Sequence, residues 1–169
     1  VVAGRISSAK NRLITPDKYG EKEGVTYDVL HRIPRVKEIF KEYVDRCKRA
    51  NAIDFDDMLL LIYKLFVENP DVLAKYQERF QFILIDEYQD TNLAQYKIIK
   101  LLADKHHRVC VVGDDSQSIY SFRGADISNI LQFQNNYPEA KLFKLEQNYR
   151  STENIVKAAN SLINKNSQR

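Results

Sequence analysis

The sequence predicts an α/β fold, a parallel sheet flanked by helices with a helical accessory subdomain on its N-terminal side. Three observations carry that prediction. FQFILIDEYQD and RVCVVGDD are short apolar runs ending in acids, separated by a helical stretch from Thr91 to Ala103. A third run of the same kind, KLFKLEQNYRS, precedes a helical pattern from Ser151 or Thr152 to about Asn164. Strands that are apolar on both faces and alternate with helices belong to a parallel sheet covered on both sides.

The elements before residue 70 are helical. The stretch to about Gly24 reads as a helix fragment followed by a loop, since Pro16, Gly20 and Gly24 interrupt it. From Ile33 onward, Val36, Ile39, Phe40, Tyr43, Val44 and Cys47 recur at spacings of three and four. In IDFDDMLLLIYKLFVENP, Asp54 is an N-cap, Asp56 and Asp57 suit the positive helix end, and Pro70 follows the close. Apolar residues cover most of that helix's circumference, which predicts burial between neighbours.

Composition narrows the function classes. The 169 residues carry 26 basic and 23 acidic side chains, a net charge of +3. The mildly basic sequence pI of about 8.7 is compatible with nucleic acid without demonstrating it. Mean hydropathy is −0.47, and no apolar run approaches the roughly 20 residues of a membrane span, so no membrane partner is expected. VVAGRISSAK lacks the apolar centre of a signal peptide. Scarce Gly (5) and Pro (4) beside Tyr (10) and Phe (8) exclude collagen and disorder. Cys47 and Cys110 are expected to be small buried hydrophobes in a reducing cytoplasm. His106-His107 is expected in a surface turn, and KEYVDRCKR on a solvated helix face.

Chemistry is expected where the strands end, because ligands of open α/β sheets bind beyond the carboxyl ends of the strands. The first run ends in Asp86-Glu87, with Gln89 and Asp90 beyond; the second in Gly113-Asp114-Asp115, followed by Gln117; the third in Glu146-Gln147-Asn148-Tyr149-Arg150. A strand followed by an acid pair is the arrangement for holding Mg²⁺ beside a phosphate while a second carboxylate handles a water. Asp90 and Asp114 are equally well explained as turn or cap residues. Tyr120 and Phe122 beside Arg123 suit stacking on unpaired bases; the competing reading places both aromatics in the core.

These residues also carry a resemblance. ILIDEYQDTN, VVGDDSQSIYSFRGAD and LEQNYRST, in that order, resemble motifs II, III and IV of the UvrD/PcrA/Rep-type superfamily 1 DNA helicases. The resemblance extends through DFDDMLLLIYKLF and IVKAAN and weakens before about residue 30. It implies two RecA-like domains that clasp ATP and walk along single-stranded DNA, typically 3′ to 5′, unwinding duplex. Residues 1–70 would then be part of a helical accessory subdomain and its return helix. Residues 71–139 would be the later half of the first RecA-like domain, and 140–169 the opening strand and helix of the second.

The resemblance also implies roles. Asp86 would coordinate Mg²⁺, Glu87 would orient and activate the attacking water, and Gln117 would sense the γ-phosphate. Tyr120 and Phe122 would contact bases, with Phe122 standing where Trp is common in the family, and Arg123 would help couple the two sites. Tyr149 would stack on the adenine and Arg150 would be an arginine finger on the γ-phosphate. None of the five glycines builds G-x-x-x-x-G-K-[ST], the loop that holds the β- and γ-phosphates. The chain is therefore expected to be an excised piece, inactive alone, of an ATP-dependent helicase serving repair or replication. Two other classes are weighed beside it: a non-motor nucleic-acid-binding or adaptor protein on a degenerate NTPase scaffold, and a two-metal nuclease using Asp54, Asp56, Asp57, Asp86 and Glu87.

Overall fold

The computed structural model describes residues 1–20, 28–33, 35–117 and 124–165. Its first helix, α1 (Val2–Asn11), turns Ile6, Ala9, Lys10 and Asn11 inward. The second, α2 (Val36–Arg49), buries Val36 and Phe40, four residues apart and so on one face. Ile6, Ala9, Tyr19, Val36 and Phe40 form one apolar cluster, with the Tyr19 ring edge-on to Phe40 at 6.0 Å. The buried Asp28 carboxylate is satisfied there by Arg5 Nε at 2.9 Å and the Tyr19 hydroxyl at 2.8 Å. The opposite face of α2 is solvated, with Glu42 paired to Arg46 and Arg49.

Helix α3 (Phe55–Glu68) begins with a reciprocal cap: the Asp57 amide donates to Asp54 Oδ1 at 2.8 Å, and the Asp54 amide to Asp57 Oδ2 at 3.2 Å. Pro70 ends nothing on its own; it opens the next helix, α4 (Pro70–Arg79), at a position whose missing N–H has no intrahelical partner to lose. Strand β1 (Ile83–Ile85), helix α5 (Leu93–Ala103) and strand β2 (Val109–Val111) follow. The strands pair in parallel, Ile83 opposite Val109 and Ile85 opposite Val111. Parallel pairing requires a crossover, and α5 supplies it. Helix α3 packs against α1, α4 and α5, so the helices before residue 70 join the layer that contains the crossover helix. Two short helices, α6 (Ser128–Leu131) and α7 (Phe133–Asn136), and a last helix, α8 (Glu153–Ile163), complete the described elements.

Four expectations are corrected. The sheet is covered on one face: Ile83, Ile85, Val109 and Val111 are half-buried, whereas Leu84 is 75% exposed and Cys110 is exposed. Strand side chains alternate between faces, so a single covering layer protects only every second residue. Cys110 is therefore not a buried hydrophobe, and Cys47 is half-buried. Helix α3 buries Leu60 and Phe66 but leaves Phe55, Met58, Leu61, Ile62 and Leu65 exposed, because its neighbours cover one side. No strand forms over 141–148, and Leu142, Phe143 and Leu145 are exposed. A strand persists through ladder hydrogen bonds, and among the described residues none pairs with this run. Among the described residues no helix is long and apolar enough to cross a membrane.

Candidate active site

The site is built where β1 and β2 end side by side. The ladder continues past β2, with the Val112 amide donating to Ile85 O at 2.8 Å and the Tyr88 amide returning to Val112 O at 2.9 Å. Asp86 and Glu87 occupy the bend between those two bonds. Asp86 Oδ1 accepts the Glu87 amide at 2.9 Å. Glu87 adopts a left-handed backbone, φ 51°, sparsely populated for a residue with a β-carbon. A 3-10 turn, Tyr88–Asp90, follows at once. Tyr88 anchors it: its ring is 1% exposed and meets Phe133 edge-on at 5.7 Å. Burial, reinforced by Tyr137 and Tyr96, pushes the Tyr88 phenol up to about 12.

Gln89 ties the two strand ends together. Its Nε2 donates to Glu87 Oε2 at 2.6 Å, and its Oε1 accepts the backbone amide of Asp114 at 3.0 Å. Only glycine fits at residue 113 in this packing, since a β-carbon there would stand 2.6 Å from Gln89 Oε1 and 2.9 Å from Ile130 Cδ1. Asp114 does the turn work that its type allows, accepting the Ser116 amide at 2.9 Å. Its other oxygen accepts Gln117 Nε2 at 3.0 Å, which fixes the exposed Gln117 side chain.

The structure thus brings Asp86, Glu87 and Gln117 onto adjacent strand ends. Tyr149 and Arg150 are not among them. Tyr149 is 92% exposed, Arg150 is exposed, and both lie in a turn where Asn148 Oδ1 accepts the amides of Arg150 and Ser151, each at 2.9 Å. Tyr120, Phe122 and Arg123 lie outside the described residues.

Asp86 fits a magnesium ion that keeps most of its ligands as water and phosphate. It is exposed, one oxygen is held by the Glu87 amide, and Mg²⁺ beside a triphosphate commonly takes only one or two protein carboxylates. Among the described residues no group of three or more His, Cys, Asp or Glu side chains is placed to hold a metal. The N-terminal carboxylates of the two-metal nuclease reading are engaged elsewhere. Asp54 and Asp57 are committed to capping α3 and to Lys10 Nζ, at 2.7 and 2.8 Å, and Asp56 accepts Asn11 Nδ2 at 2.9 Å.

Sequence reasoning did not assign four residues that shape this region: Gln89, Gly113, Asn11 and Asn92. The spacing Asn92-x-x-Gln95 is a legible capping signal, and the structure forms it reciprocally at 2.9 and 3.0 Å. The partnership of Asn92 with Asn11, 81 residues away, has no local signal.

Parallel strands joined by a crossover helix, ending in an acid pair on one tip and Gly-Asp-Asp on the next, define an α/β protein, and the sequence places it further. Residues 2–138 match the UvrD/REP helicase N-terminal domain, and the chain belongs to that family. It is 47% identical over 168 residues to the ATP-dependent DNA helicase PcrA of Bacillus subtilis, covering 99% of this chain and 22% of that protein. It is 50% identical over 166 residues to the protein of the same name from Staphylococcus epidermidis, covering 98% and 22%. The chain therefore spans about a fifth of the length of these relatives.

Proposed function

We propose that these 169 residues are part of an ATP-dependent DNA helicase and contribute the acids that hydrolyse ATP, in the later half of a RecA-like domain. The observation that carries the reading is the junction of Asp86 and Glu87 with Gln117 at neighbouring strand ends, cross-tied by Gln89. The family match and the similarity to PcrA proteins support it.

Phosphoryl transfer to water needs positioning and charge neutralisation rather than covalent chemistry. Asp86 would hold Mg²⁺, which when bound neutralises charge on the β- and γ-phosphate oxygens. Glu87 would accept a hydrogen bond from the attacking water and orient it; its left-handed backbone and its bond to Gln89 set the direction of that carboxylate. Gln117 would contact the γ-phosphate. Arg150 would reach the same phosphate from the second RecA-like domain, opened by residues 140–169, with Tyr149 against the adenine. Their exposure suits groups delivered by closure of a cleft. Tyr120, Phe122 and Arg123 would carry the change to single-stranded DNA, and repeated closure would drive 3′-to-5′ movement and unwinding in repair or replication. None of the five glycines builds the loop that cradles the phosphates, so the 169 residues alone would not turn over ATP.

Unwinding tests this. The full-length protein with Mg²⁺ and ATP is expected to open a duplex with a 3′ single-stranded tail and to leave a 5′-tailed one closed. DNA binding without ATP-dependent opening of either substrate would overturn the motor reading in favour of an adaptor.

A further inference from the structure

We propose that Asn11 is a positioning residue for the strand-end acids, acting through Asn92. The proposal rests on the hydrolysis reading above, and its own observation is a buried relay of side-chain amides. Asn11 and Asn92 are 4% and 5% exposed. Asn92 Nδ2 donates to Asn11 Oδ1 at 2.7 Å. Asn11 Nδ2 donates to Ser7 O at 3.0 Å and to Asp56 Oδ1 at 2.9 Å.

The direction of this relay is fixed from its ends. Asn92 Oδ1 accepts the backbone N–H of Gln95 at 3.0 Å, so the Asn92 nitrogen must face Asn11. Asn11 therefore presents its oxygen to Asn92 and its nitrogen to a carbonyl and a carboxylate, and turning either amide over would set oxygen against oxygen. The platform beneath is rigid: Lys10, with no exposed surface, clamps the start of α3 through Asp54 and Asp57.

On the far side, Asn92 closes the segment that begins at the acids. Thr91 Oγ1 donates to Tyr88 O at 2.7 Å, and Thr91 O accepts the Asp126 amide at 3.1 Å and Asn129 Nδ2 at 2.9 Å. Asn92 itself bridges Ala125 in antiparallel fashion. The peptide from Tyr88 to Asn92 is thus held to β2 at one end and to α1 and α3 at the other, with Glu87 at its entrance.

Asn92→Asp separates this role from capping. The new carboxylate still accepts the Gln95 N–H, as a good N-cap does, but it faces the Asn11 oxygen. In the full-length protein kcat for DNA-stimulated ATP hydrolysis is expected to fall about tenfold or more, since small displacements of reacting groups are costly. KM for ATP should stay within about twofold, the pattern of a lost transition-state interaction. Without nucleotide, amide exchange over residues 86–92 should quicken while that of α2 stays unchanged. Unchanged kcat with only a lower Tm would overturn the proposal. If the wild-type protein does not hydrolyse ATP, the hydrolysis reading fails by itself. Amide exchange then decides this one: lost protection over 86–92 upholds it, and unchanged protection overturns it.

Discussion

Gln89 occupies the space that a side chain at Gly113 would need, with its Oε1 only 2.6 Å from the position of a β-carbon there. The oxygen is not free to withdraw, because it accepts the Asp114 amide while the same side chain holds Glu87. The glycine and the amide together let the two strand ends pack closely.

Gly113→Ala is accordingly expected to destabilise the protein by about 1–3 kcal/mol, the usual range for overpacking a filled site. Urea denaturation measures this. The double variant Gly113→Ala/Gln89→Ala should lose less stability than the sum of the two singles, because the shortest of the clashes, with Gln89 Oε1, goes with the amide while that with Ile130 stays. Additive losses would show that the two residues are not coupled.

Lys10 makes the helical layer sensitive to charge. Its removal in Lys10→Met leaves two partly buried carboxylates, Asp54 and Asp57, without their cation, at an expected cost of roughly 3 kcal/mol in urea denaturation. The pH dependence should change with it. Burial pushes the Asp54 carboxyl upward, but hydrogen bonds from Lys10, Tyr43 and the Asp57 amide outweigh it and hold the group below its ordinary value. A depressed folded value means stability that is present above the unfolded value, about 3.9, and lost as pH falls through the folded one. Wild type should therefore weaken on acidification below about pH 4, and Lys10→Met should weaken less over the same window.

Tyr120 is proposed to stack on an unpaired base. Tyr120→Ala in the full-length protein should cost about 1–3 kcal/mol of single-strand affinity in fluorescence anisotropy, with an unchanged salt slope because no phosphate contact is lost. Unchanged affinity would return Tyr120 to the core.

Much of this architecture was legible where the signal is local. The cap at Asp54 follows a three-residue spacing, and Asp86-Glu87 and Asp114 stand at strand ends because apolar runs stop there. Three features were not legible. Pro70 reads as a stop whether or not another helix starts on it. KLFKLEQNYRS has strand composition, but a strand needs a partner, and composition does not reveal one. The Asn11–Asn92 and Gln89–Asp114 bonds join residues 81 and 25 apart, which no periodicity encodes.

The most direct measurement is ATP turnover by full-length Glu87→Gln. The substitution is nearly isosteric, and the new amide can still offer an oxygen to Gln89 Nε2, so the strand-end junction should survive. Binding of a fluorescent ATP analogue should persist while DNA-stimulated hydrolysis falls by about 10²–10⁴, the range for losing a positioned acid–base group. Hydrolysis within about twofold of wild type, with the analogue still bound, would contradict the assignment of water activation to Glu87.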